Sequence, residues 1–177
     1  FKISLIMKKI GKVFWITGLS GSGKTSIANR IKGEIIIKYG PTICISGDQI
    51  RKIFKLKGYS KNERLEIGKK YLKFIKFITK EKINVIFSVV GLFHELHKLN
   101  RKLFPNYLEI YIKSDFNKIK SKRKKIFYRK KFKNVWGQDI KPEFPKNPDI
   151  ILHNNFNKTV GKLSSELIKK INKKLHN

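Results

Sequence analysis

The sequence is poor in cysteine, in acidic residues and in arginine. Its 177 residues include one cysteine, 12 Asp or Glu and six arginines. The single cysteine, Cys44, excludes an intrachain disulfide, as is typical of proteins from a reducing compartment. Cys44 lies in an apolar, strand-like run. We therefore expect it to be a buried core residue rather than a reactive thiol.

Long apolar runs are also missing from the sequence. No run approaches the roughly 18–20 residues that a membrane span needs. The opening segment, Phe1–Ile10, has a short apolar stretch before Lys8 and Lys9, which is the wrong order for a secretory signal. Apolar residues still make up 40% of the chain, enough for a globular core. We expect one cytoplasmic domain over residues 1–177 and no membrane partner.

Positive charge is abundant, and it comes almost entirely from lysine. The formal net charge is +30, and 36 of the 42 basic residues are lysines. A strongly basic surface is typical of nucleic-acid-binding proteins. However, the lysines are spread along the chain, and isoleucine and asparagine are abundant too. Arginine, which binds phosphate through two hydrogen bonds at once, is scarce. We interpret the charge as compositional bias that attracts small anionic nucleotides, without a specific nucleic-acid partner.

Strand-like and helix-like segments alternate along the chain. This order predicts an α/β fold, a P-loop NTPase-like parallel sheet of about five strands with helices on both faces. The predicted strands are Lys12–Thr17, Thr42–Ile45, Asn84–Val90, Tyr107–Ile112 and Asp149–Leu152. The predicted helices are Lys24–Tyr39, Asn62–Lys80, Phe93–Leu103, Asp115–Lys125 and Lys158–Leu175. Three prolines and scattered aromatics predict a long ordered loop over Phe127–Pro148.

A glycine-rich segment follows the first predicted strand. It matches G-x-x-x-x-G-K-[ST], the P-loop that cradles nucleotide phosphates, with Gly18, Leu19, Ser20, Gly21, Ser22, Gly23, Lys24 and Thr25. Its glycines allow backbone N–H groups to point at the phosphates, Lys24 reaches the β- and γ-phosphates, and the Thr25 hydroxyl ligates Mg²⁺. ATP or GTP binding is predicted. Kinase chemistry does not follow from the loop alone, although a P-loop chain of this length is typical of a small-molecule kinase.

Further motifs resemble those of adenylylsulfate kinases. The segment Gly11–Thr25 resembles the opening of that family, and Gly47-Asp48-Gln-Ile-Arg51 is similar to its G-D-x-x-R. The other matching segments are Gly58–Arg64, Lys125–Tyr128, Asn134–Asp139 and Pro145–Asp149. The resemblance spans Gly11 to about Asn155 and implies a lid segment over about residues 125–148.

The resemblance implies an activity and a set of residue roles. The family phosphorylates the 3′-hydroxyl of adenylylsulfate with ATP and Mg²⁺. Asp48 would lie by the acceptor hydroxyl and the metal, and Lys125 would neutralise the transferring phosphoryl group. The resemblance counts Asp48 among the substrate-binding residues too. Arg51 and Arg64 would bind the phosphosulfate of the acceptor. Tyr59 would stack on one face of its adenine, and Trp136 or Val135 would lie on the other face. Such a set suits phosphoryl transfer, which depends mainly on positioning and charge stabilisation.

The acceptor half of the sequence departs from the family pattern. Ile67 stands where an asparagine is usual, and Ile126 replaces the glycine after the lid lysine. Val90-Gly91-Leu92 stands in place of the I-S-P segment after the third strand, so the serine hydroxyl is missing there. Arg123 replaces an aspartate. The segment Leu92–Glu95 is similar to a branch of the family instead. The sequence is therefore interpreted as a divergent member.

Each role has a structural alternative. Asp48 could cap a helix, the arginines and Lys125 could be surface charges, and the aromatic residues could be packing. His94 and His97 lie three residues apart, but without suitable further ligands they make a poor zinc site.

Three functions remain open. The first is adenylylsulfate kinase, and the second is a kinase of the same fold for another nucleotide conjugate, for example in surface-polysaccharide modification. The third is a basic nucleic-acid-binding protein, against which the intact P-loop and Asp48 count. The oligomeric state is open too, with a homodimer as one option.

Overall fold

Five parallel strands form a single sheet in the order β2-β3-β1-β4-β5. The computed structural model describes residues 10–123 and 133–176. The strands are β1 (Val13–Thr17), β2 (Thr42–Ser46), β3 (Asn84–Val89), β4 (Tyr107–Lys113) and β5 (Ile150–His153). The helices are α1 (Lys24–Tyr39), α2 (Gly47–Ile53), α3 (Lys61–Lys80), α4 (His94–Leu103), α5 (Phe116–Arg123) and α6 (Val160–His176). The predicted parallel α/β fold is confirmed.

The central strand β1 contributes alternately to two hydrophobic cores. Val13 and Trp15 belong to the core that α3 and α4 cover, whereas Phe14 and Ile16 belong to the core under α1 and α6. Successive side chains of a strand point to opposite faces, so a strand covered on both sides must be apolar throughout. All five residues of β1 are buried. The loop that follows β1 therefore starts from a fully buried, central strand of the sheet.

The strand β2 lies at an edge of the sheet, and this corrects two predictions. It pairs only with β3 among the described strands, and its Ile43 is 38% exposed. The prediction of a second buried strand was wrong, because an edge strand has one uncovered flank. Cys44 is accordingly half-buried, and its thiol donates to Asn29 Oδ1 at 3.4 Å. Partial burial nevertheless raises the pKa of the thiol, which disfavours the reactive thiolate.

The helix α2 has no counterpart among the predicted helices, and it places Asp48. Ser46 caps it: its side chain accepts from the backbone N–H of Gln49, while the Gln49 side chain accepts from the backbone N–H of Ser46. Asp48 lies in the first turn instead of at the cap. The alternative that Asp48 caps this helix was therefore wrong. The spacing S-x-x-Q is a recognised helix start and could have revealed α2.

Between α5 and β5 the described residues form a loop. Residues 133–149 contain no helix and only one isolated bridge, between Trp136 and Ile140. The predicted loop start, Phe127 to residue 132, lies outside the described residues, as does the predicted helix end at Lys125. No helix in the described part of the chain is long and apolar enough to cross a membrane. A single domain over the whole chain stays a prediction.

Candidate active site

A cavity of about 240 Å³ opens at the carboxyl ends of β1, β2 and β3. Parallel sheets bind ligands at this edge because the loops that leave the strands converge there. The cavity is lined by these predicted site residues: Ser20, Gly21, Gly23, Lys24, Thr25, Asp48, Arg51, Arg64 and Trp136. The structure therefore brings most of the predicted nucleotide and acceptor residues together. Gly18, Leu19, Ser22, Val135 and Tyr59 do not line the cavity, and Lys125 lies outside the described residues.

The glycine-rich loop Gly18–Thr25 wraps around the start of α1. The Lys24 ammonium is buried and donates to the Leu19 carbonyl at 2.8 Å, a bond that holds the loop closed over its own lysine. The Thr25 hydroxyl lies 3.3 Å from the Ser88 hydroxyl at the end of β3. From β5 the loop is supported by the Asn154 side chain, which donates to the Ser22 carbonyl at 2.9 Å. The loop is thus fixed by the sheet before any ligand binds.

The loop has the properties of a phosphate site. The Ser22 hydroxyl is buried and has no hydrogen-bond partner among residues 10–123 and 133–176. Gly18 has a φ of 149°, and a Cβ there would lie 2.6 Å from the Ile112 carbonyl oxygen, so that only glycine fits. Lys24 contributes a cation and α1 presents its N-terminal N–H groups. These residues fit the triphosphate of a nucleotide.

Two guanidinium groups line the opposite side of the cavity. Arg51 donates from Nη1 to the carbonyls of Leu56 and Gly58 at 3.2 and 3.0 Å. Arg64 donates from Nε to the Tyr59 carbonyl at 2.7 Å and from Nη2 to the Asn134 carbonyl at 2.8 Å. Backbone carbonyls thus fix both side chains in place. Burial, with the nearby charge of Arg51, lowers the pKa of Arg64, although the Asp139 carboxylate opposes this shift.

Tyr59 lies outside this cavity, at its rim. Its side chain is 58% exposed, and the guanidinium carbons of Arg51 and Arg64 lie 5.0 and 5.3 Å from its ring centroid. The ring therefore contacts the two cations that line the cavity. Such contacts are cation–π interactions. The base-stacking role that the family resemblance implies for Tyr59 stays a prediction.

Apolar groups form the remaining wall of the acceptor half. Ile67 is 5% exposed and lies in the cavity wall beside Tyr71 of the same helix, α3. Trp136 of the lid loop packs edge-on against Phe93, with ring centroids 5.0 Å apart. The predicted departure at Ile67 therefore occurs inside the cavity, where it removes a polar group from the wall.

Sequence reasoning missed several residues of the cavity. Tyr71 donates its hydroxyl to the Gly47 carbonyl at 3.1 Å and so ties α3 to the start of α2, and burial raises its pKa. Ser88 contacts Thr25, and Phe93 contacts Trp136. Only Ser88 had a local signal, a hydroxyl at the carboxyl end of an otherwise apolar strand.

The two histidines considered as a metal pair engage different backbone carbonyls. His94 Nε2 lies 2.9 Å from the Phe144 oxygen, and His97 Nε2 lies 2.9 Å from the Gly91 oxygen. No cluster of three or more His, Cys, Asp or Glu side chains suited to a metal ion is found within residues 10–123 and 133–176.

Comparison with known proteins identifies the family. The sequence profile of adenylylsulphate kinase matches residues 10–153. The chain belongs to this family. Cytidine diphosphoramidate kinase of Campylobacter jejuni is 32% identical over 169 residues, 93% of this chain and 99% of the relative. Adenylyl-sulfate kinase of Pseudomonas aeruginosa is 26% identical over 156 residues, 84% of this chain and 80% of the relative.

One solved structure has the same fold as this chain. It is the Mycobacterium tuberculosis APS kinase CysC in complex with AMPPNP and APS, which matches with a TM-score of 0.82 and 23% identity over 92% of this chain and 98% of that one. Family membership makes the chain an ATP-using phosphotransferase.

Proposed function

We propose that this kinase transfers the γ-phosphoryl group of ATP to a hydroxyl of a nucleotide whose 5′ end carries a second acidic group. Adenylylsulfate and cytidine diphosphoramidate both have this form. The observation that carries the proposal is the composition of one cavity. It combines Lys24 and Thr25 of the P-loop with Asp48 and with the guanidinium groups of Arg51 and Arg64.

The phosphate half would hold ATP. The N–H groups of the loop Gly18–Thr25 and the Lys24 ammonium bind the β- and γ-phosphates, while the Thr25 hydroxyl ligates Mg²⁺. When bound, Mg²⁺ would offset the negative charge of the phosphates. Few protein ligands are needed, because Mg²⁺ typically keeps waters and uses substrate phosphates. Lys24 stabilises the charge that develops on the transferring group.

Asp48 would act on the acceptor. It is exposed at the edge of the cavity on the first turn of α2, and it contributes the carboxylate to a site otherwise dominated by cations. In the reaction the acceptor oxygen forms a bond to the γ-phosphorus as the bond from that phosphorus to the bridging oxygen breaks, releasing ADP. Asp48 orients the hydroxyl and accepts its proton. Lys125, which lies outside the described residues, is proposed to neutralise charge on the transferring phosphoryl group.

The two arginines would bind the 5′ tail of the acceptor. A guanidinium presents five N–H donors, and here backbone carbonyls use only part of them. Two fixed cations that face one cavity suit a tail with two anionic groups. Trp136, already packed on Phe93, would provide the apolar surface for the base.

Two acceptors of this class are proposed, and they differ in support. Adenylylsulfate is the family's acceptor, and the Pseudomonas aeruginosa relative carries its name. Cytidine diphosphoramidate is favoured by the Campylobacter jejuni relative, which is similar over nearly its full length. The apolar Ile67 in the wall also favours an acceptor other than adenylylsulfate, because it offers no hydrogen bond where the family usually has an amide.

A panel of acceptors tests the proposal. The purified protein is incubated with Mg-ATP and, in turn, adenylylsulfate, cytidine diphosphoramidate, CDP and ADP, and the phosphorylated products are separated by chromatography. We expect a phosphorylated product from at least one of the first two, and the ratio of their kcat/KM values ranks the two acceptors. Acceptor-independent ATP hydrolysis with no phosphorylated product from any of the four would overturn the proposal.

A further inference from the structure

The turn that follows β3, residues 90–92, forms part of the cavity wall through Val90 and Gly91. The carbonyl groups of this turn accept hydrogen bonds from residues outside it. The Thr17 hydroxyl donates to the Val90 carbonyl at 2.6 Å, and the Glu143 backbone N–H donates to the Leu92 carbonyl at 3.1 Å. The carbonyl between them, that of Gly91, accepts from the Phe93 N–H at 3.0 Å and faces His97 Nε2 at 2.9 Å. Four bonds thus set the shape of this wall.

Gly91 has no side chain that could fix its position. Its φ is 39°, and a Cβ there would lie 3.0 Å from the Val89 side chain and 3.1 Å from the Trp15 ring. The position is therefore restricted to glycine, whose backbone is otherwise the most mobile of all residues. The hydrogen bonds to its carbonyl must supply the rigidity that a packed side chain supplies elsewhere.

His97 is suited to provide one of these bonds. Its side chain is 6% exposed, and a carbonyl oxygen can only accept, so Nε2 must carry the proton. Burial lowers the pKa of His97, although the Glu109 carboxylate opposes this shift. The imidazole is therefore neutral near pH 7, and its single N–H is directed at Gly91.

On its Nδ1 side the imidazole faces a partly buried polar cluster, and Nδ1 makes no hydrogen bond within the described part of the chain. Glu109 of β4 is 2% exposed, and its Oε1 lies 3.6 Å from His97 Nδ1. Arg101 Nη2 lies 3.0 Å from Glu109 Oε2 and 3.2 Å from Asp149 Oδ2, while the Tyr107 hydroxyl donates to Glu109 Oε1 at 3.2 Å. His97 thus lies between the sheet and the turn and bonds to the turn through Nε2, and the substrate-binding groups described above make no use of it.

We propose that His97 is a positioning residue for acceptor binding: through its Nε2–H it fixes Gly91 and with it the wall of the acceptor half. The proposal rests on the proposed function, because it assigns this wall to the acceptor. Loss of the bond should let the turn move away from its position. Binding of the acceptor should weaken, whereas the P-loop, which the turn does not form, should bind ATP as before.

Three variants separate the hydrogen bond from the volume of the side chain. In His97→Gln the terminal amide reaches about as far as Nε2 and can donate to Gly91. In His97→Asn the amide reaches only about as far as Nδ1, which faces Glu109. His97→Leu fills the space without a donor. His94→Gln, on the same helix and partly exposed, is the matched control.

Steady-state kinetics and amide hydrogen exchange by mass spectrometry are measured on all four, with melting temperatures to confirm folding. For Leu and Asn we expect the acceptor KM to rise about 5- to 10-fold, on the scale of one hydrogen bond, with the KM for ATP within about twofold of wild type. Exchange in residues 90–93 should accelerate by a similar factor. Gln and the His94 control should stay near wild type.

Other outcomes would overturn the proposal. A Gln variant as impaired as Leu would show that the donor is irrelevant, and an equal rise in both KM values would show a general structural role. Unchanged exchange in residues 90–93 of the Leu variant would show that His97 does not hold the turn. Hydrogen exchange needs no substrate, so it tests the role of His97 even if the wild type accepts none of the acceptors, a result that would refute the proposed function separately.

Discussion

The two halves of the cavity are built in different ways. The phosphate half comes from one contiguous segment, Gly18–Thr25, and much of its binding surface is backbone. The acceptor half is assembled from side chains on α2, α3, the turn after β3 and the lid loop. Backbone groups of a fixed loop offer little room for variation, whereas side chains on separate elements change one at a time. This difference explains why the P-loop matches its motif completely while the acceptor half departs from the family.

The charges of the two halves also differ in how they are held. Lys24 is buried and bonded to its own loop, at Leu19. Arg51 and Arg64 are held by carbonyls of the segment 56–59, and Arg64 donates in addition to the carbonyl of Asn134, which is distant in sequence. The position of Arg64 thus depends partly on a tertiary contact. We expect mutations in the phosphate half to abolish turnover and mutations in the acceptor half to alter selectivity.

The largest effect is expected at Lys24. Lys24→Ala removes the ammonium that contacts the transferring group, and kcat should fall between about 10²- and 10³-fold, the range seen for loss of one preorganised charge contact. The measurement is steady-state turnover with any accepted acceptor. Lys32→Ala, an exposed position on the same helix α1, is the control and should retain full activity. Near wild-type turnover of the Lys24 variant would disprove its assignment.

A similar loss, confined to kcat, is expected at Asp48. Asp48→Asn keeps the shape but removes the charge that accepts the hydroxyl proton, so kcat should fall about 10²-fold. ATP affinity, measured by calorimetry, should change little because the P-loop is untouched. Glu34→Gln, an exposed carboxylate on α1, serves as control. If Asp48→Asn lowers only the melting temperature and turns over normally, Asp48 has a structural role.

The contrast between the halves also explains what the sequence could reveal. The P-loop, the positions of the strands along the chain and most helix bounds follow from local patterns, namely glycine spacing and apolar runs. The edge position of β2 does not follow from such patterns, because the order of strands in a sheet is a tertiary property. For the same reason, the residues next to Cys44 in the sequence do not show whether it is half-buried or buried. The seven-residue helix α2 is too short for apolar periodicity to reveal it. Its capping pattern was the available signal.

The acceptor half shows the same limit more strongly. The resemblance assigned Tyr59 to a base, but the structure places its ring against Arg51 and Arg64. No sequence pattern encodes which flat surface a ring will contact. The packing of Trp136 on Phe93 joins residues 43 positions apart and had no local sign either. Motifs identified the residues of this half, and tertiary contacts decided what each one touches.

An intermediate effect, on selectivity, is expected at Ile67. Ile67→Asn restores to the cavity wall an amide that can donate and accept. If adenylylsulfate presents a polar group there, its kcat/KM should rise by roughly 5- to 150-fold relative to cytidine diphosphoramidate, the value of about 1–3 kcal/mol for an unsatisfied polar group. Ile67→Leu is the apolar control and should keep the wild-type ratio. A wild type that already prefers adenylylsulfate efficiently, and gains nothing from Asn, would show that the departure is tolerated.

The smallest effect is expected at Tyr59, and it distinguishes a ring that orients arginines from one that stacks on the acceptor base. Two cation–π contacts at an exposed site contribute about 0.5–1 kcal/mol each, so Tyr59→Leu should raise the acceptor KM about 5-fold or more with kcat nearly unchanged. Tyr59→Phe keeps the ring face and should behave as wild type. If the ring serves the two guanidiniums, the Leu variant should lose affinity equally for adenylylsulfate and cytidine diphosphoramidate, because both carry the charged tail. A loss that differs strongly between the adenine and cytosine compounds would instead assign Tyr59 to the base, as the family resemblance implies.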